Sequence, residues 1–152
     1  MSGRAFSIST IAGWADMDAN AHMANFAYVS KCVDSRMAFF NQNGFPVTEF
    51  AKRQLGPVVR RDELEYFREI ALLEPITVTL ALGGMAADGS RFRLVNEVLN
   101  GEGKLAARIR SEGGWLDLVA RKLIVPPADL LAVFSKMPHA TEFEQLPSSI
   151  RK

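Results

Sequence analysis

The segment WADMDANAHMANFAYVSKCVDSR, residues 14–36, joins a short polar stretch to a long run of regularly spaced apolar residues. Asp16 and Asp18 stand directly ahead of His22 and Asn25, where the apolar run begins. Such a change from polar residues to helical periodicity is typical of a loop that leads into the N-terminus of a helix. We therefore expect a loop that carries two carboxylates up to the start of a helix.

The predicted helix start is a favourable place for a polarised oxygen atom. The first turn of a helix leaves backbone N–H groups unpaired, and the aligned peptide dipoles add about half a positive charge there. A thioester carbonyl at this point would be polarised, and the oxyanion formed on attack would be stabilised. Asp18, seven positions before Asn25, is then placed to act as the nucleophile or as the base for a water molecule. The spacing is compatible with acyl transfer.

The same residues form a known motif. It consists of D-x-D, H-M-x-N, a tyrosine and a later arginine, at Asp16, Asp18, His22, Met23, Asn25, Tyr28 and Arg36. This motif resembles the D-x-D-x-x-G-H-(V/M)-N-N-x-x-Y…A-R signature of hotdog-fold thioesterases of the 4-hydroxybenzoyl-CoA thioesterase type. The resemblance implies an α+β hotdog fold over residues 5–134, in which an antiparallel sheet of about five strands wraps around a long central helix. It also implies that Asp18 is the catalytic carboxylate, that a backbone N–H on or beside Asn25 is the oxyanion donor, and that a neighbouring subunit completes the active site.

Three positions depart from this signature. Ala21 replaces the usual glycine, Ala24 replaces the first asparagine, and Val33 replaces a frequent acidic residue. Asp34 follows Val33 directly but points about 100° away on a helix, so it is a poor substitute. These departures keep a second interpretation open, in which the chain is a catalytically weak acyl-CoA-binding or scaffold homodimer of the same fold.

A hotdog hydratase or dehydratase is the other enzyme class to be weighed. Its signature, D-x-N-P-x-H, sets the aspartate and the histidine five residues apart. Here His22 follows Asp18 by four residues and Asp16 by six, and neither segment contains a proline. The spacing disfavours a hydratase, and the leading prediction is hydrolysis of an acyl-CoA thioester to a free acid and CoA.

The remaining motif residues have less specific roles. His22 is predicted as a catalytic proton shuttle or as a residue that holds the loop by a backbone hydrogen bond. The side chain of Asn25 is expected to cap the helix while its backbone N–H faces the substrate. Tyr28 is expected to be a packed aromatic residue whose hydroxyl reaches a partner or lines the acyl pocket. Asp16 is expected to be a turn or capping residue, and Arg36 to form a structural ion pair.

Basic residues are predicted to hold the phosphates of coenzyme A, because arginine side chains bind phosphate well. A position on an exposed strand face is the simpler explanation for any single basic residue. Taken together, however, the clusters predict one contact with phosphate. The clusters are Arg60-Arg61, Arg108 with Arg110, and Arg121-Lys122. Related sequences of the family often have basic residues at the last of these pairs. The predicted substrate-binding residues are therefore Tyr28, Arg60, Arg61, Arg121 and Lys122.

The composition is that of a single globular domain. The chain has 152 residues, of which 48% are hydrophobic and 23% charged, and its net charge of +1 gives no reason to expect binding to nucleic acid or to a membrane. No stretch approaches the ~20 apolar residues of a membrane span, and the first ten residues lack the apolar core of a signal peptide, so we expect a cytoplasmic protein. With two histidines and one cysteine, Cys32, neither a disulfide nor a zinc site is expected. Cys32 is expected to be a small buried side chain, and coenzyme A is part of the substrate rather than a cofactor.

Apolar periodicity predicts the order of the elements. A strand is expected over 5–13 and a helix over 23–43, whose buried stripe comprises Phe26, Val29, Val33, Met37 and Phe40. A short helix or turn over 47–54 is followed by antiparallel strands over 58–70, 76–82, 91–99 and 104–110. After a break or bulge at Gly113-Gly114, residues 115–125 extend the last strand or begin a new one. A short helix over 128–134 precedes a polar, loosely ordered tail over 135–152. Because one short sheet covers this helix poorly, we expect a homodimer or a homotetramer.

Overall fold

The computed structural model describes residues 5–150 of the chain. These residues form seven strands, three α-helices and a short 3-10 turn at Trp14–Asp16. The strands are β1 (Phe6–Ile11), β2 (Leu55–Tyr66), β3 (Pro75–Ala86), β4 (Arg91–Leu99), β5 (Leu105–Asp117), β6 (Lys122–Ile124) and β7 (His139–Leu146). The helices are α1 (Asn25–Gln42), α2 (Val47–Arg53) and α3 (Ala128–Phe134). The expected α+β class is confirmed.

All seven strands belong to one sheet. Its main order is β1-β3-β4-β5-β2, with each neighbouring pair antiparallel, and β6 returns from β5 as a short hairpin. The 18-residue helix α1 packs against β3 and also contacts β1, β4 and β5. This is the expected arrangement of a sheet around a long helix, although the sheet contains seven strands rather than about five.

The seventh strand corrects the prediction for the C-terminal segment. The sequence predicts a loosely ordered polar tail over 135–152, but β7 pairs in parallel with β3, beginning at Leu82↔His139. β1 covers the same edge of β3 only as far as Leu80. Beyond that point the backbone groups of β3 need another partner, and β7 supplies it. A strand that is held by the backbone edge of a distant segment needs few apolar residues, so its sequence shows little alternation.

α1 buries a different face from the one that its apolar stripe predicts. Phe26 and Val33 are 62% and 41% exposed, and of the predicted stripe only Phe40 is fully buried. The buried face combines small side chains with aromatic ones and comprises Ala27, Tyr28, Cys32, Ser35, Arg36, Phe39 and Phe40. Both faces have helical spacing, but small side chains let the helix lie close to the sheet. Packing therefore selects the second face, and the predicted stripe is wrong for the single chain.

Arg36 lies on this buried face, and among residues 5–150 it does not form the ion pair that the sequence predicts. Its guanidinium donates two hydrogen bonds to Asn96 Oδ1, at 3.0 and 2.8 Å, and one to Ser111 Oγ at 2.7 Å. Ser111 in turn donates to the carboxylate of Asp62, so the charge of Arg36 meets this carboxylate through a hydroxyl group. Burial lowers the pKa of Arg36. The side chain points into the sheet, where neutral residues of β4 and β5 are its direct partners.

β5 runs without a break through Gly113 and Gly114, where the sequence predicts an interruption or a bulge. The irregularity lies instead in the neighbouring strand β2, between Val59 and Arg61. A Cβ atom on Gly113 would come within 1.9 Å of the carbonyl oxygen of Val58. Close approach of β2 therefore explains this glycine, and the strand continues past it.

The start of α1 meets the far end of β2. α1 ends before Gly44, whose φ of +84° is typical of a residue that follows a helix. At the other end of the helix, the hydroxyl of Tyr66 donates to the carbonyl oxygen of Asn25 at 3.3 Å. The first residue of β2, Leu55, pairs with Asp117, where β5 leads into the β6 hairpin. The two ends of β2 therefore lie beside two different features, the start of α1 and the β5–β6 hairpin.

Candidate active site

Asp16 fixes the loop that precedes α1. Its Oδ2 atom accepts the backbone N–H of Gly13 at 2.7 Å and lies 3.0 Å from Lys31 Nζ. Its backbone carbonyl accepts the N–H of Ala24 at 2.8 Å, which joins the loop to the start of the helix. Partial burial raises the pKa of Asp16, but the hydrogen bond from Gly13 and the ion pair with Lys31 outweigh this effect, so its pKa is lowered overall. The predicted turn and capping role is confirmed.

Asp18 is exposed and is oriented by its own turn. Its Oδ1 atom accepts the backbone N–H groups of Asn20 at 2.8 Å and His22 at 3.3 Å. The backbone closes the same turn, because the Asp18 N–H donates to the His22 carbonyl at 2.9 Å and the Asp18 carbonyl accepts from Ala21 at 3.1 Å. Within residues 5–150 both of these side-chain hydrogen bonds go to Oδ1 and none goes to Oδ2. The carboxylate is held at one oxygen and open at the other.

Ala21 takes a backbone conformation that normally favours glycine. Its φ is +61°, and it occupies the position at which the thioesterase signature has glycine. A left-handed conformation costs a residue with a side chain about 1–2 kcal/mol. The turn that carries Asp18 therefore forms with some strain at Ala21.

α1 starts without a side-chain cap. Ala24 occupies the N-cap position, where no side chain accepts a hydrogen bond from the first turn. Asn25 is the first helical residue, so the prediction that its side chain caps the helix is wrong by one position. The first backbone hydrogen bond of the helix runs from the Ala27 N–H to the Ala24 carbonyl at 3.0 Å. The N–H groups of Asn25 and Phe26 precede it and have no intrahelical acceptor.

One recess of about 700 Å³ brings the predicted motif residues together. Asp18, His22, Asn25 and Tyr28 all line it. Tyr28 is buried, its hydroxyl donates to the Arg68 carbonyl oxygen at 3.4 Å, and burial raises its pKa. The recess is therefore lined both by an open carboxylate and by the positively polarised start of a helix.

The opposite wall of the recess comes from the end of β2 and the residues that follow, which sequence reasoning did not connect with the site. Its members are Tyr66, Phe67, Arg68 and Glu69. Glu69 Oε2 lies 3.1 Å from His22 Nε2, and the Tyr66 ring packs edge to face against Tyr28 with a centroid distance of 5.2 Å. The imidazole of His22 is thus paired with Glu69, while its backbone holds Asp18.

Arg68 gives this wall a basic group. It donates from Nη1 to the Leu105 carbonyl oxygen at 2.7 Å. The segment reaches the loop through backbone pairing, because the Met23 N–H donates to the Ile70 carbonyl oxygen at 2.8 Å. This contact joins residues 47 positions apart, and no local pattern in the sequence reports it. The one feature of the sequence that could have indicated a functional segment here is the run of aromatic, basic and acidic side chains at 66–69.

The other predicted substrate-binding residues lie away from this recess in the same chain. Arg60 and Arg61 lie in the middle of β2. Arg121 and Lys122 lie in the β5–β6 hairpin. β5 extends for roughly 30 Å between the residue that pairs with Tyr66 and the start of this hairpin. The structure of one chain therefore brings Tyr28 to Asp18 but leaves these four basic residues elsewhere.

Arg108 and Arg110, the remaining basic cluster, are paired with carboxylates. Arg108 donates to Glu97 Oε2 at 2.9 and 3.1 Å. Arg110 contacts Glu65 at 2.9 Å and Glu142 at 3.0 Å. These charges are compensated inside the chain, so a strand face with ion pairs describes the cluster better than a phosphate site.

Cys32 is fully buried, and burial raises the pKa of its thiol to about 12. The thiol is therefore protonated near neutral pH, and the prediction of a small buried side chain is confirmed. Among the described residues, no three His, Cys, Asp or Glu side chains are grouped in a way that could hold a metal ion. The absence of a metal stays a prediction. No helix in the described part of the chain has the length and hydrophobicity of a membrane span.

Comparison with known proteins places this geometry in a family. A sequence model described as the thioesterase-like superfamily matches residues 12–134, which include the Asp18 loop and α1. No curated protein matches the chain. The matched segment is more than half of the chain.

Solved structures share the hotdog fold with this chain at low identity. A Staphylococcus aureus protein in complex with CoA is 19% identical, with a TM-score of 0.76 over 93% of this chain and 90% of its own. A 1,4-dihydroxy-2-naphthoyl-CoA thioesterase from Synechocystis is 15% identical, with a TM-score of 0.78 over 90% of this chain and 100% of its own. A DHNA-CoA thioesterase from Staphylococcus aureus is 19% identical, with a TM-score of 0.78 over 86% and 88%. These similarities confirm the predicted fold.

Proposed function

The chain belongs to the thioesterase-like superfamily, and on this basis we propose that it hydrolyses an acyl-CoA thioester to a free acid and CoA, as an enzyme of the 4-hydroxybenzoyl-CoA thioesterase type. One observation supports this most directly. Asp18, with an open oxygen, and the first-turn N–H groups of α1 near Asn25 line the same recess. A carbonyl between them would meet a base or nucleophile on one side and an oxyanion donor on the other.

Two routes give the same products. As a general base, Asp18 takes a proton from water while the hydroxide oxygen bonds to the carbonyl carbon, and the C–S bond then breaks. As a nucleophile, an oxygen of Asp18 bonds to the carbonyl carbon and the CoA thiolate leaves, after which water hydrolyses the mixed anhydride. In both routes the thiolate takes up one proton, and the N–H near Asn25 stabilises the oxyanion.

The other residues of the recess support this chemistry. His22 donates its backbone N–H to Asp18, and its imidazole, paired with Glu69, faces the recess as a proton carrier for the leaving thiolate. Tyr28 provides a rigid aromatic wall against which the reacting part of the substrate packs. Arg68 offers a cationic group to the coenzyme A arm.

We propose that the active form is a homodimer, alone or within a homotetramer. β2 stands at the end of the strand order, and within the described residues only one of its edges has a partner strand. Val59 of β2 and the α1 residues Phe26 and Val33 are exposed, and a groove of about 170 Å³ between α1 and β2 continues this apolar surface. Apolar surface of this kind is typical of subunit contacts. Sedimentation that shows a stable monomer at micromolar concentration would contradict the dimer.

Two-fold pairing of β2 would also bring the predicted phosphate-binding residues to the recess. In an antiparallel pair, the start of one β2 lies beside the end of the other. The start of β2 is tied to the β5–β6 hairpin, because the Leu118 N–H donates to the Gln54 carbonyl at 2.9 Å. Arg121 and Lys122 in one chain would thereby approach the recess of the other. Arg60 and Arg61 would lie at the seam between the two subunits.

The second candidate is an acyl-CoA-binding homodimer with little turnover. It is favoured by the strained φ of Ala21 and by the missing side-chain cap at Ala24, both at the catalytic loop. Thiol release from short, long, aromatic and branched acyl-CoAs separates the two functions when CoA binding is measured in parallel by calorimetry. Release from any of these substrates supports hydrolysis. Measurable CoA binding without release supports the binding protein.

A further inference from the structure

A second recess lies on the other side of Asp18. It has a volume of about 330 Å³ and is lined by Trp14, Met17, Asp18, Ala19, Ala21 and Leu72. Asp18 is the residue that lines both this recess and the one next to α1. The open carboxylate therefore stands at the junction of two spaces that differ in the charged side chains they contain.

The difference between the two spaces matches the two arms of a thioester. The recess next to α1 combines the aromatic side chains of Tyr28, Tyr66 and Phe67 with charged or ionisable ones, Arg68, Glu69 and His22. In the second recess, Asp18 is the one polar side chain among the six that line it. A thioester whose carbonyl carbon lies at Asp18 has one polar arm, which leads to the phosphates of CoA, and one acyl arm. Arg68 suits the phosphate-bearing arm, so the recess whose lining has no charged side chain besides Asp18 is the match for the acyl arm.

We propose that the second recess is the acyl site and that it takes an apolar acyl group, which packs against Trp14 and Leu72. This inference rests on the proposed function, because it assumes a thioester carbonyl at Asp18. Trp14 is 82% exposed and Leu72 is 40% exposed, and both line the recess. Large apolar side chains that line a concave, solvent-open surface are typical of a ligand site.

The backbone keeps the two walls of this recess together. Trp14 begins the 3-10 turn, and Leu72 lies in the turn before β3. The Leu73 N–H donates to the Ala12 carbonyl at 2.7 Å, and His22 forms a bridge with Ala71. The two turns are therefore joined on both sides of the recess, which holds Trp14 and Leu72 in place without a ligand.

The volume restricts the acyl group. An engineered cavity of about 150 Å³ holds benzene, so a recess of about 330 Å³ accepts a one-ring or two-ring aromatic acyl group or a medium-length alkyl chain. A long fatty acyl chain would extend past Trp14 into solvent. The small side chains of Ala19 and Ala21 leave this space open. The site thus selects for an apolar group of limited size.

Trp14 makes the proposal testable without turnover. The chain has two tryptophans, and Trp115 is 1% exposed, so a change in the emission of an exposed indole reports on Trp14. The Asp18→Asn variant is titrated with benzoyl-CoA, octanoyl-CoA, acetyl-CoA and free CoA while binding is followed by calorimetry. We expect a blue shift of the emission with benzoyl-CoA and octanoyl-CoA, and none with acetyl-CoA or CoA.

Four other outcomes contradict the acyl site. A blue shift with CoA alone would assign the recess to the nucleotide. Binding of octanoyl-CoA and benzoyl-CoA without any shift would place the acyl group elsewhere. Emission that is already blue-shifted in the free protein would show that a second copy covers Trp14. Failure of every acyl-CoA to bind would contradict the proposed function as well as the acyl site. A shift in the variant combined with no thiol release by the wild type would remove hydrolysis but keep the acyl site.

Leu72 and Leu73 provide a matched pair of variants. They are adjacent leucines in the same turn, but only Leu72 lines the recess. We expect Leu72→Ala to lower the ratio of kcat/KM for octanoyl-CoA to that for acetyl-CoA by about tenfold, the order expected when the apolar wall of a pocket loses a few methyl or methylene groups. Leu73→Ala should leave this ratio within about twofold of the wild type. Equal changes in both variants would show an effect on the turn and would contradict the acyl site.

Discussion

Asp16 and Asp18 are two residues apart in one loop, but their surroundings give them different roles. Asp16 binds Gly13 and Lys31 and joins the loop to α1 through its carbonyl. Asp18 uses only one oxygen to hold its turn and is exposed. A partly buried carboxylate that is paired with a lysine contributes to stability, whereas an exposed carboxylate with an open oxygen is available for chemistry. The two residues therefore form a natural pair for mutation.

Asp18→Asn should lower kcat by at least about a hundredfold, because an amide neither attacks a thioester nor accepts a proton from water. Asparagine keeps an oxygen that can accept the N–H groups of Asn20 and His22, so the turn is preserved. Tm should change little. Steady-state thiol release and thermal unfolding are the measurements. A variant that keeps most of the wild-type kcat would assign the chemistry to another residue, even if the protein is a thioesterase.

Asp16→Asn is the matched control, and it should give the opposite profile. The variant loses its charge opposite Lys31, so the loss should appear in Tm more than in kcat. The lowered pKa of Asp16 means that its charged form stabilises the folded state. This stabilisation is present above the pKa that Asp16 has in the unfolded chain, and it is lost as the pH falls through the lower pKa of the folded state. If Asp16→Asn reduced kcat more than Asp18→Asn, the roles of the two carboxylates would be reversed.

Ala21→Gly should stabilise the loop by up to about 1 kcal/mol. Its φ of +61° costs alanine about 1–2 kcal/mol, and glycine adopts this conformation without strain, although it gains freedom in the unfolded chain. Ala19→Gly, two residues earlier and without a positive φ, should destabilise by roughly 0.5–1 kcal/mol. Denaturant unfolding of both variants measures the difference. Equal destabilisation in the two would show that Ala21 is not strained.

Cys32 should make the stability depend on alkaline pH. Its folded pKa is raised from 9.0 to about 12, so its contribution is complete below pH 9 and is lost as the pH rises toward 12. Between these two pH values the thiol is ionised in the unfolded chain but not in the folded one. The free energy of unfolding therefore falls by up to about 1.4 kcal/mol per pH unit. Cys32→Ala lacks this titration, so the stability difference between wild type and variant should shrink as the pH rises. A difference that stays constant would contradict the burial of the thiol.

At the scale of residues, the motif was predictable because it is local. Asp18, His22, Asn25 and Tyr28 lie within eleven consecutive residues, so one loop and one helical turn bring them together. Arg68 and its neighbours were missed because they reach the recess through pairing between distant segments. The cap of α1 was wrong by one residue, since the position of a helix end depends on local backbone geometry that composition does not resolve.

At the scale of elements, strand order and helix existence followed from periodicity, but the choice of helix face did not. α1 has two apolar faces, and the sheet takes the one with small side chains, which leaves Phe26 and Val33 exposed. A period of 3.6 shows that a helix has a buried side but cannot rank two such sides. β7 was missed for a related reason, because its pairing satisfies backbone groups of β3 rather than burying an apolar stripe.

Replacement of Gly113 tests how closely β2 and β5 pack. In Gly113→Ala the new methyl group would meet the carbonyl oxygen of Val58 at 1.9 Å, so β2 and β5 would have to separate. We expect a loss of at least about 2 kcal/mol in the free energy of unfolding. Gly56→Ala is the control in the same strand pair, because a Cβ there meets nothing within 4 Å and should change stability by less than about 1 kcal/mol. Similar values for both would show that the strands adjust freely at Gly113.

At the scale of the whole molecule, the recess and the β5–β6 hairpin are far apart in one chain, so a second subunit is needed to bring the basic residues of the hairpin to the recess. Arg121 and Lys122 lie roughly 30 Å along β5 from the strand position that pairs with Tyr66. Within one chain this length of strand separates them from the recess at Asp18. In a two-fold dimer through β2 they lie beside the partner's recess, so the proposed site is shared between the subunits.

Replacement of both Arg121 and Lys122 by alanine should raise KM for an acyl-CoA severalfold, because removal of either cation weakens the binding of the nucleotide arm and its phosphates. It should spare a truncated thioester of N-acetylcysteamine, which lacks the nucleotide. Lys104→Ala and Lys136→Ala, single changes of exposed lysines that line neither recess, are controls for the removal of positive charge. Equal impairment on the full and the truncated substrate would indicate damage to the fold instead of a specific role in phosphate binding.

Mixed dimers distinguish a shared site from a site within one chain. If Asp18 of one subunit works with Arg121 and Lys122 of the other, an Asp18→Asn chain paired with the double-alanine chain forms one intact site and one that lacks both features. Random pairing of the two chains in equal amounts should then restore about a quarter of the wild-type sites in the mixture, because half of the dimers are mixed. The purified mixed dimer should contain about half of the wild-type sites, because one of its two sites is intact. The measurement is thiol release at a substrate concentration below the wild-type KM, with differently tagged chains produced together and the mixed dimer purified. A mixed dimer that is no more active per site than the average of the two parent dimers would place the basic pair outside the shared site.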